Sequence, residues 1–511
     1  MDPNQTSHTL KKPLFWLSIL LFIFIMKGLV LGILFPFFQG PDEQTHYATL
    51  QYLAEPKEKS WPIIKKPKDL IDGNNIATYH FSEETIKSAQ ATGFDEVKFQ
   101  NENTQSFSGS SFGPNEKAVA ENSWKRYIDI YPTNTSGTVS VYYLLGTKIE
   151  QALSDQSILT RFFSIRLLSV VLGALVVLLT YLTARKMSFS EKNSLILAVL
   201  VAFQPMFSST ASIVNIDIAL ILAFSLFVYA GVSMLAEGSG LKYVTLLIFS
   251  IILGLFSKGP GMVLVVVAIP FLIYFAYLYF HIDKRRFFWW VFLFLSLSIA
   301  LTFIFMPKSY FVSITNIGAA SQFSSPLISL EKYLSKTIGG SGLSISHASY
   351  WGNFGWLDTK ISPKILDVIR IIELVAFLGI VFYLISGTRP FDKLSSSLSN
   401  LGVEDRMTKE KGHLPQKRYI IFFIGIILAL QFAIRFYDWR VFDATKQIVI
   451  GAPGRYFLPN IIPHILLIVT GLGFFTRNKK QFSILLKTLL ILMILLSLYT
   501  MINVIIPRYY L

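Results

Sequence analysis

The feature that most constrains this chain is a succession of apolar runs, each close to the roughly 20 residues that an α-helix needs to cross a bilayer. They fall at about Leu14 to Phe38, Ile158 to Ala184, Ser194 to Ile213, Ile218 to Ala236, Tyr243 to Phe256, Met262 to Phe280, Phe288 to Met306, Ile365 to Ile385, Ile420 to Ile434, Tyr456 to Phe475 and Ile484 to Ile506. In lipid every backbone polar group must be satisfied within the chain, so such runs become helices. The expected fold class is an all-α polytopic membrane protein of about eleven spans. Charged residues make up only 15% of the 511, against roughly 25% in soluble domains, which excludes a single water-soluble core. The first run follows Lys11 and Lys12 but has no small-residue cleavage site after it, so it is expected to stay as a helix.

Lys and Arg outnumber Asp and Glu by 46 to 31, a net charge of +15. On a soluble chain that excess would suggest nucleic acid; here it lies mostly in loops beside apolar runs and reports orientation, so no nucleic-acid partner is expected. Lys11 and Lys12, Arg185 and Lys186, Lys284 to Arg286, the loop from Arg389 to Lys417, and Arg477 with Lys479 and Lys480 share one side if the runs alternate. That side is the cytoplasm. The segment from Gln39 to Ser157, the loop from Pro307 to Lys364 and the loop from Arg435 to Gly454 are then outside. Val139 to Leu153, near the end of the first outer segment, is too short and polar to span and suits a helix on the membrane surface. Cysteine is absent, which removes disulfides, thiolate metal sites and cysteine nucleophiles.

The sharpest local pattern is Gly40-Pro41-Asp42-Glu43-Gln44-Thr45-His46, directly after the first run. Gly-Pro suits a helix entry, and acidic side chains in a first turn are favoured by the helix dipole. His46 shares a helical face with Asp42 and Glu43, so the group could supply a general base with an orienting imidazole. Acidic capping at an interface accounts for the same residues. A metal site would need more ligands than this run contains.

Cations on the outer side form a second pattern: Arg161, Arg166, Lys258, Lys308, Arg435, Arg440 and Arg455. Orientation rules disfavour them there, so something must compensate. Phosphate is one answer, since guanidinium grips it with two parallel bonds. Pairing with outer carboxylates such as Asp217, Asp358, Asp438 and Asp443 is the other. The segment Tyr350-Trp351-Gly352-Asn353-Phe354-Gly355-Trp356-Leu357-Asp358 interleaves aromatic and polar groups, which suits sugar rings and equally an interfacial aromatic belt. Inside the runs, Lys27 is expected to face the bundle interior, and Arg370 with Glu373, three apart, to neutralise each other.

In combination these residues resemble a family of bacterial and archaeal membrane proteins of unassigned function placed in the GT-C glycosyltransferase superfamily. The resemblance is carried by Pro41-Asp42-Glu43 with His46, Asn215 with Asp217, Lys258 in its Gly-Pro turn, Trp351-Gly352 with Phe354-Gly355-Trp356 and Asp358, and Gly454-Arg455-Tyr456 before Leu458-Pro459. Tyr131-Pro132 and Tyr142-Tyr143 match the family pattern only loosely. The resemblance implies a GT-C-like bundle in the cytoplasmic membrane with a long first outer loop. It implies an inverting transferase that takes a sugar from a polyprenyl-phosphate donor and passes it to a cell-surface glycan acceptor on the outer face, with membrane lipids around it. Asp42 or Glu43 would be the catalytic carboxylate, assisted by His46. Lys258 and Arg455 would bind the donor phosphate, and Trp351, Asn353, Trp356, Asp358, Asn215, Asp217 and Tyr456 the sugar or acceptor. No cofactor is certain; a divalent metal occurs in some superfamily members. A transporter or flippase for a lipid-linked glycan is the competing expectation, and a scaffolding protein would leave the outer charges unexplained.

Overall fold

A computed structural model describes residues 3–54, 82–92, 119, 140–238, 240–280, 325–338, 342–386, 414–446 and 453–510. The expected span at 288–306, the rest of the first outer segment, Lys308 and most of the loop from Arg389 to Lys417 lie outside these residues. The described chain is almost wholly helical. Its helices are α1 (Pro3–Leu34), α2 (Glu43–Ala54), α3 (Glu83–Ala91), α4 (Val141–Ala152), α5 (Ile158–Lys186), α6 (Glu191–Ala202), α7 (Pro205–Thr210), α8 (Asp217–Glu237), α9 (Leu241–Leu255) and α10 (Met262–Phe280). They continue as α11 (Pro326–Ile338), α12 (Gly342–Trp351), α13 (Pro363–Ser386), α14 (Lys417–Thr445), α15 (Ile461–Phe474), α16 (Lys479–Thr500) and α17 (Ile506–Tyr510). Short 3₁₀ segments at Gly259–Gly261 and Gly454–Asn460, a π-helical turn at Met501–Ile505 and a two-stranded hairpin, Asn353–Phe354 with Thr359–Lys360, complete the described elements.

Among the described residues 8 helices are long and apolar enough to cross a membrane. Two expected spans differ. Leu241–Leu255 is helical but only 15 residues long. Ser194 to Ile213 is broken into α6 and α7, because Gln204 leaves the helix, caps the next one by accepting from Phe207 N–H, and Pro205 takes that helix's first position. The broken pair still runs between the same two ends as its neighbours: Arg185 approaches Glu191 at one end (3.9 Å), and Val214 N–H donates to Glu43 at the other (2.8 Å).

Contacts sort the helix ends into two sets. One holds Arg185, Lys186, Glu191, Glu237 and Tyr243, joined by the Lys186–Glu237 ion pair. The other holds the end of α1, the starts of α2, α5 and α8, Lys258 and Arg455. Helix α8 is central, buried along nearly its whole length and packed against α5, α9 and the Gly454–Asn460 segment. Helices α13 and α16 are peripheral; Ile371, Leu374 and Phe377 on the first and Ile491 and Leu495 on the second are exposed, as lipid-facing side chains would be. The stretch Val139 to Leu153 is helical, as α4. It buries Tyr142 and Tyr143 and exposes Leu144 and Leu145.

Lys27 faces inward, as expected, and donates to Ala202 O (2.5 Å) and Ser208 Oγ (2.7 Å). Arg370 and Glu373 do not pair. Arg370 turns to Asp367 on the exposed side (3.1 Å), while Glu373 accepts from His347 and Trp351. Three residues on a helix set two side chains close, but inward partners decide where each one points.

Candidate functional site

The site begins with the turn between α1 and α2. Glu43, fully buried, accepts four hydrogen bonds: Arg166 Nε (2.9 Å) and Nη2 (2.6 Å), Gly40 N–H (2.8 Å) and Val214 N–H (2.8 Å). Arg166 in turn donates to the carbonyls of Gly32 (2.5 Å), Phe35 (2.6 Å) and Pro36 (3.1 Å). One ion pair therefore clamps the end of α1, the turn and the start of α8's approach. Gly40 is needed here, since a Cβ would meet the Glu43 side chain 2.5 Å away. The clamp holds a costly backbone: Phe38 and Asp42 both have φ of 62°. Non-glycine residues in that region are uncommon, and neighbours must over-determine them.

Asp42 therefore stands just before α2 rather than inside its first turn. The next residue's carboxylate goes into the core and its own goes to the surface, about half exposed, where it accepts from Arg455 Nη2 (3.0 Å). The two adjacent acids expected to share a role are thus separated by environment.

Arg455 comes from the 3₁₀ segment after Gly454. A Cβ on Gly454 would collide with the α12 backbone at Ser346 and Tyr350, so glycine is what lets this segment lie against α12. Arg455 is 6% exposed; beyond the bond to Asp42, its Nε and Nη1 are buried with no acceptor in hydrogen-bond geometry. Lys258 donates to Asp217 Oδ1 (2.6 Å) and lies 4.5 Å from the Tyr456 ring centre. Burial disfavours the Lys258 charge, but Asp217 and Tyr456 more than offset it and raise its pKa, so it stays a cation. Asn215 accepts from Asp217 N–H (2.7 Å) and fixes the start of α8.

His46, buried, bonds through Nδ1 to the Tyr143 hydroxyl (2.6 Å). Burial pushes its pKa down to about 4; Lys258 and Arg455 push the same way, against Asp42 and Asp217. It is neutral near pH 7, which suits positioning rather than proton donation. Asp42, His46, Asp217, Lys258, Arg455 and Tyr456, drawn from four separated stretches of sequence, thus form one electrostatically coupled cluster.

The aromatic segment is placed differently from the expected sugar-facing surface. Trp351 and Trp356 are buried, Trp351 Nε1 donates to Glu373 (2.9 Å), Asn353 is buried in the hairpin, and Asp358 accepts from Arg508 (3.2 Å). Gly355 and Leu357, with φ of 57° and 63°, close this hairpin against Tyr509 near the chain's end. Packing consumes the flat faces that were expected to stack on a ring.

Most of the outer cations find carboxylates: Arg161 with Glu84 (2.5 Å) and Glu150, Arg166 with Glu43, Lys258 with Asp217, and Arg440 with Asp443 (3.3 Å). Sequence reasoning missed Arg508 and the partner roles of Tyr143 and Arg166; no local signal marks these pairings, because each acts across a long chain separation. Among the described residues no group of three or more His, Asp or Glu could hold a metal ion, and Asp42 and Asp217 each already face a cation. The donor set does not fit a divalent metal.

The fold defines a multi-pass membrane protein, with this charged cluster at one end of the helix bundle. Residues 24–465 match the sequence profile of a family described as predicted membrane protein (DUF2142). The chain belongs to that family. No curated protein matches it.

Proposed function

We propose that this protein is a GT-C-type glycosyltransferase that moves a sugar from a polyprenyl-phosphate carrier to a glycan acceptor on the outer face of the cytoplasmic membrane. The observation that carries the reading is Arg455: a buried guanidinium with two unpartnered nitrogens, next to Lys258 and to a half-exposed carboxylate. Donors without acceptors in a buried site suit a phosphate, and guanidinium matches phosphate geometry. An outward site has no nucleotide-sugar supply, so the activated sugar arrives on a membrane carrier.

In this reading the donor phosphate takes the free edge of Arg455 and draws it from Asp42. That pair is a single contact at a half-exposed carboxylate, which makes it easy to exchange. The freed Asp42 carboxylate accepts the proton of the acceptor hydroxyl. The acceptor oxygen bonds to the anomeric carbon on the face opposite the phosphate, the carbon–phosphate-oxygen bond breaks, and its electron pair stays on the phosphate. Lys258 and Arg455 stabilise that charge as it develops. Glu43 and Arg166 hold the turn, and neutral His46 with Tyr143 holds α2.

Lipid-linked sugars extracted from a strain lacking the protein test this. A polyprenyl-phosphate sugar should accumulate, and wild-type protein, but not Asp42→Asn, should clear it. No accumulation of any such carrier, or clearance by Asp42→Asn, overturns the reading.

A further inference from the structure

The Gly454–Asn460 segment that carries Arg455 also holds Phe457 and Asn460, which line a cavity of about 220 Å³ with His347, Glu373, Arg435 and His464. None of these side chains takes part in the site above.

Its hydrogen bonding can be followed atom by atom. Glu373 accepts from His347 Nε2 (2.8 Å) through Oε2, and from Trp351 Nε1 (2.9 Å) and His464 Nε2 (3.3 Å) through Oε1. A carboxylate only accepts, so both imidazoles carry a proton on Nε2. His464 Nδ1 is hydrogen-bonded to the Tyr350 hydroxyl (2.8 Å). His347 Nδ1 is buried and without a partner. Arg435 gives Nη2 to Ser346 Oγ (2.9 Å), while its Nη1 is buried without an acceptor. Asn460, 3% exposed, has an unpartnered Oδ1.

Native interiors leave few polar atoms unsatisfied, and here three belong to residues that line one cavity. Their chemistry is mixed: a cationic donor, an amide oxygen that accepts, and an imidazole nitrogen. The volume corresponds to roughly seven waters, enough for a small polar head and too little for a long glycan. Phe457 and Tyr350 supply apolar faces for a carbon skeleton. At the lining, Leu343 is exposed, as is Ile345 on the same helix, which gives the surroundings an apolar character.

We propose that this cavity binds a phosphate ester of a polyhydroxylated alcohol. A phosphate oxygen accepts from Arg435 Nη1, a hydroxyl of the alcohol donates to Asn460 Oδ1, and another bonds to His347 Nδ1. Glu373 serves as the positioning residue that holds both imidazoles by their Nε2. The proposal does not depend on the transferase reading, since it uses neither Asp42 nor Arg455.

The test uses the full-length protein in lipid nanodiscs, with melting midpoints recorded for every variant. One arm titrates glycerol 3-phosphate into nanodiscs of phosphatidylcholine; the other compares retention of phosphatidylglycerol and phosphatidylcholine by native mass spectrometry. Binding in either arm is expected, the first indicating a free ester and the second a lipid head. Arg435→Gln should weaken it ten- to a hundredfold and Asn460→Leu three- to tenfold, with Arg455→Gln unchanged. Should Arg435→Gln not fold, Asn460→Leu and the stabilisation of wild type by the probe decide the matter. Failure of both probes to bind wild type, meaning that water alone fills the cavity, overturns the proposal. So does undiminished binding by folded Arg435→Gln, or an equal loss in Arg455→Gln, which would move the ligand to the other site.

Discussion

Replacing Glu43 with Gln should damage the fold, whereas replacing Asp42 with Asn should damage only chemistry. Glu43 is fully buried and accepts four N–H bonds, two of them from Arg166. A glutamine keeps one carbonyl oxygen and turns an amide toward donors, so Arg166 becomes a buried charge without a counter-charge. Breaking one side of a buried pair costs about 3–5 kcal/mol, against a typical net stability of about 5–15 kcal/mol. The ratio of folded to unfolded protein should fall by about a hundredfold or more. Asp42 differs on each count. Its side chain is about half exposed, its partner is one nitrogen of Arg455, and its φ of 62° is a conformation that Asn adopts readily. The asparagine keeps an oxygen that can accept from Arg455, which also faces Asp217, so Asp42→Asn should cost clearly less than Glu43→Gln. Thermal melting of the purified protein in detergent, followed by size-exclusion chromatography, compares the two. A Glu43→Gln variant that melts with wild type, or an Asp42→Asn variant that falls as far, would refute this division of labour.

Three further outcomes are expected. Arg455→Lys keeps the charge without the fork and should weaken binding of a polyprenyl-phosphate sugar about tenfold, with Arg455→Ala weaker still; unchanged affinity in a folded Arg455→Ala leaves that residue only its contact with Asp42. His46 has a folded pKa of about 4 against an unfolded value near 6.5, so the unfolded chain binds more protons in that window and stability is lost as pH falls through it. Melting should lose about 2 kcal/mol between pH 7 and pH 5, a slope that His46→Gln should flatten. Finally, a reporter fused after Ser157 should lie outside and one fused within Ser395 to Gly402 inside; both on one side would contradict the alternation of spans.

Much of the architecture is legible in the sequence because lipid imposes a coarse and regular demand: apolar length. That is why α1, α5, α8, α13 and α16 fall where hydropathy puts them, whereas α14 runs on to Thr445 through residues 435–445 that were expected in an outer loop. The broken α6–α7 stretch carried its own warning in Gln204-Pro205, which apolar continuity outweighed. Side-chain pairing is another matter. Arg455 reaches Asp42 across 413 positions, and Arg166 reaches Glu43 across 123, and no local pattern encodes such partners. The Gly-Pro-Asp-Glu run announced an acidic turn correctly, yet only the fold shows that one acid is buried in a clamp and the other exposed. The tryptophans around Gly352 had the composition of a binding surface and are packing instead, since sequence does not say which face a ring turns.

The central claim is that the Asp42 carboxylate beside Arg455 and Lys258 carries sugar transfer. Its most direct test reconstitutes wild type and Asp42→Asn in liposomes with a radiolabelled polyprenyl-phosphate sugar and an acceptor extract, with folding verified by melting. The account predicts label transfer by wild type and loss of at least a hundredfold in Asp42→Asn with donor binding retained, and transfer by Asp42→Asn at the wild-type rate would contradict it.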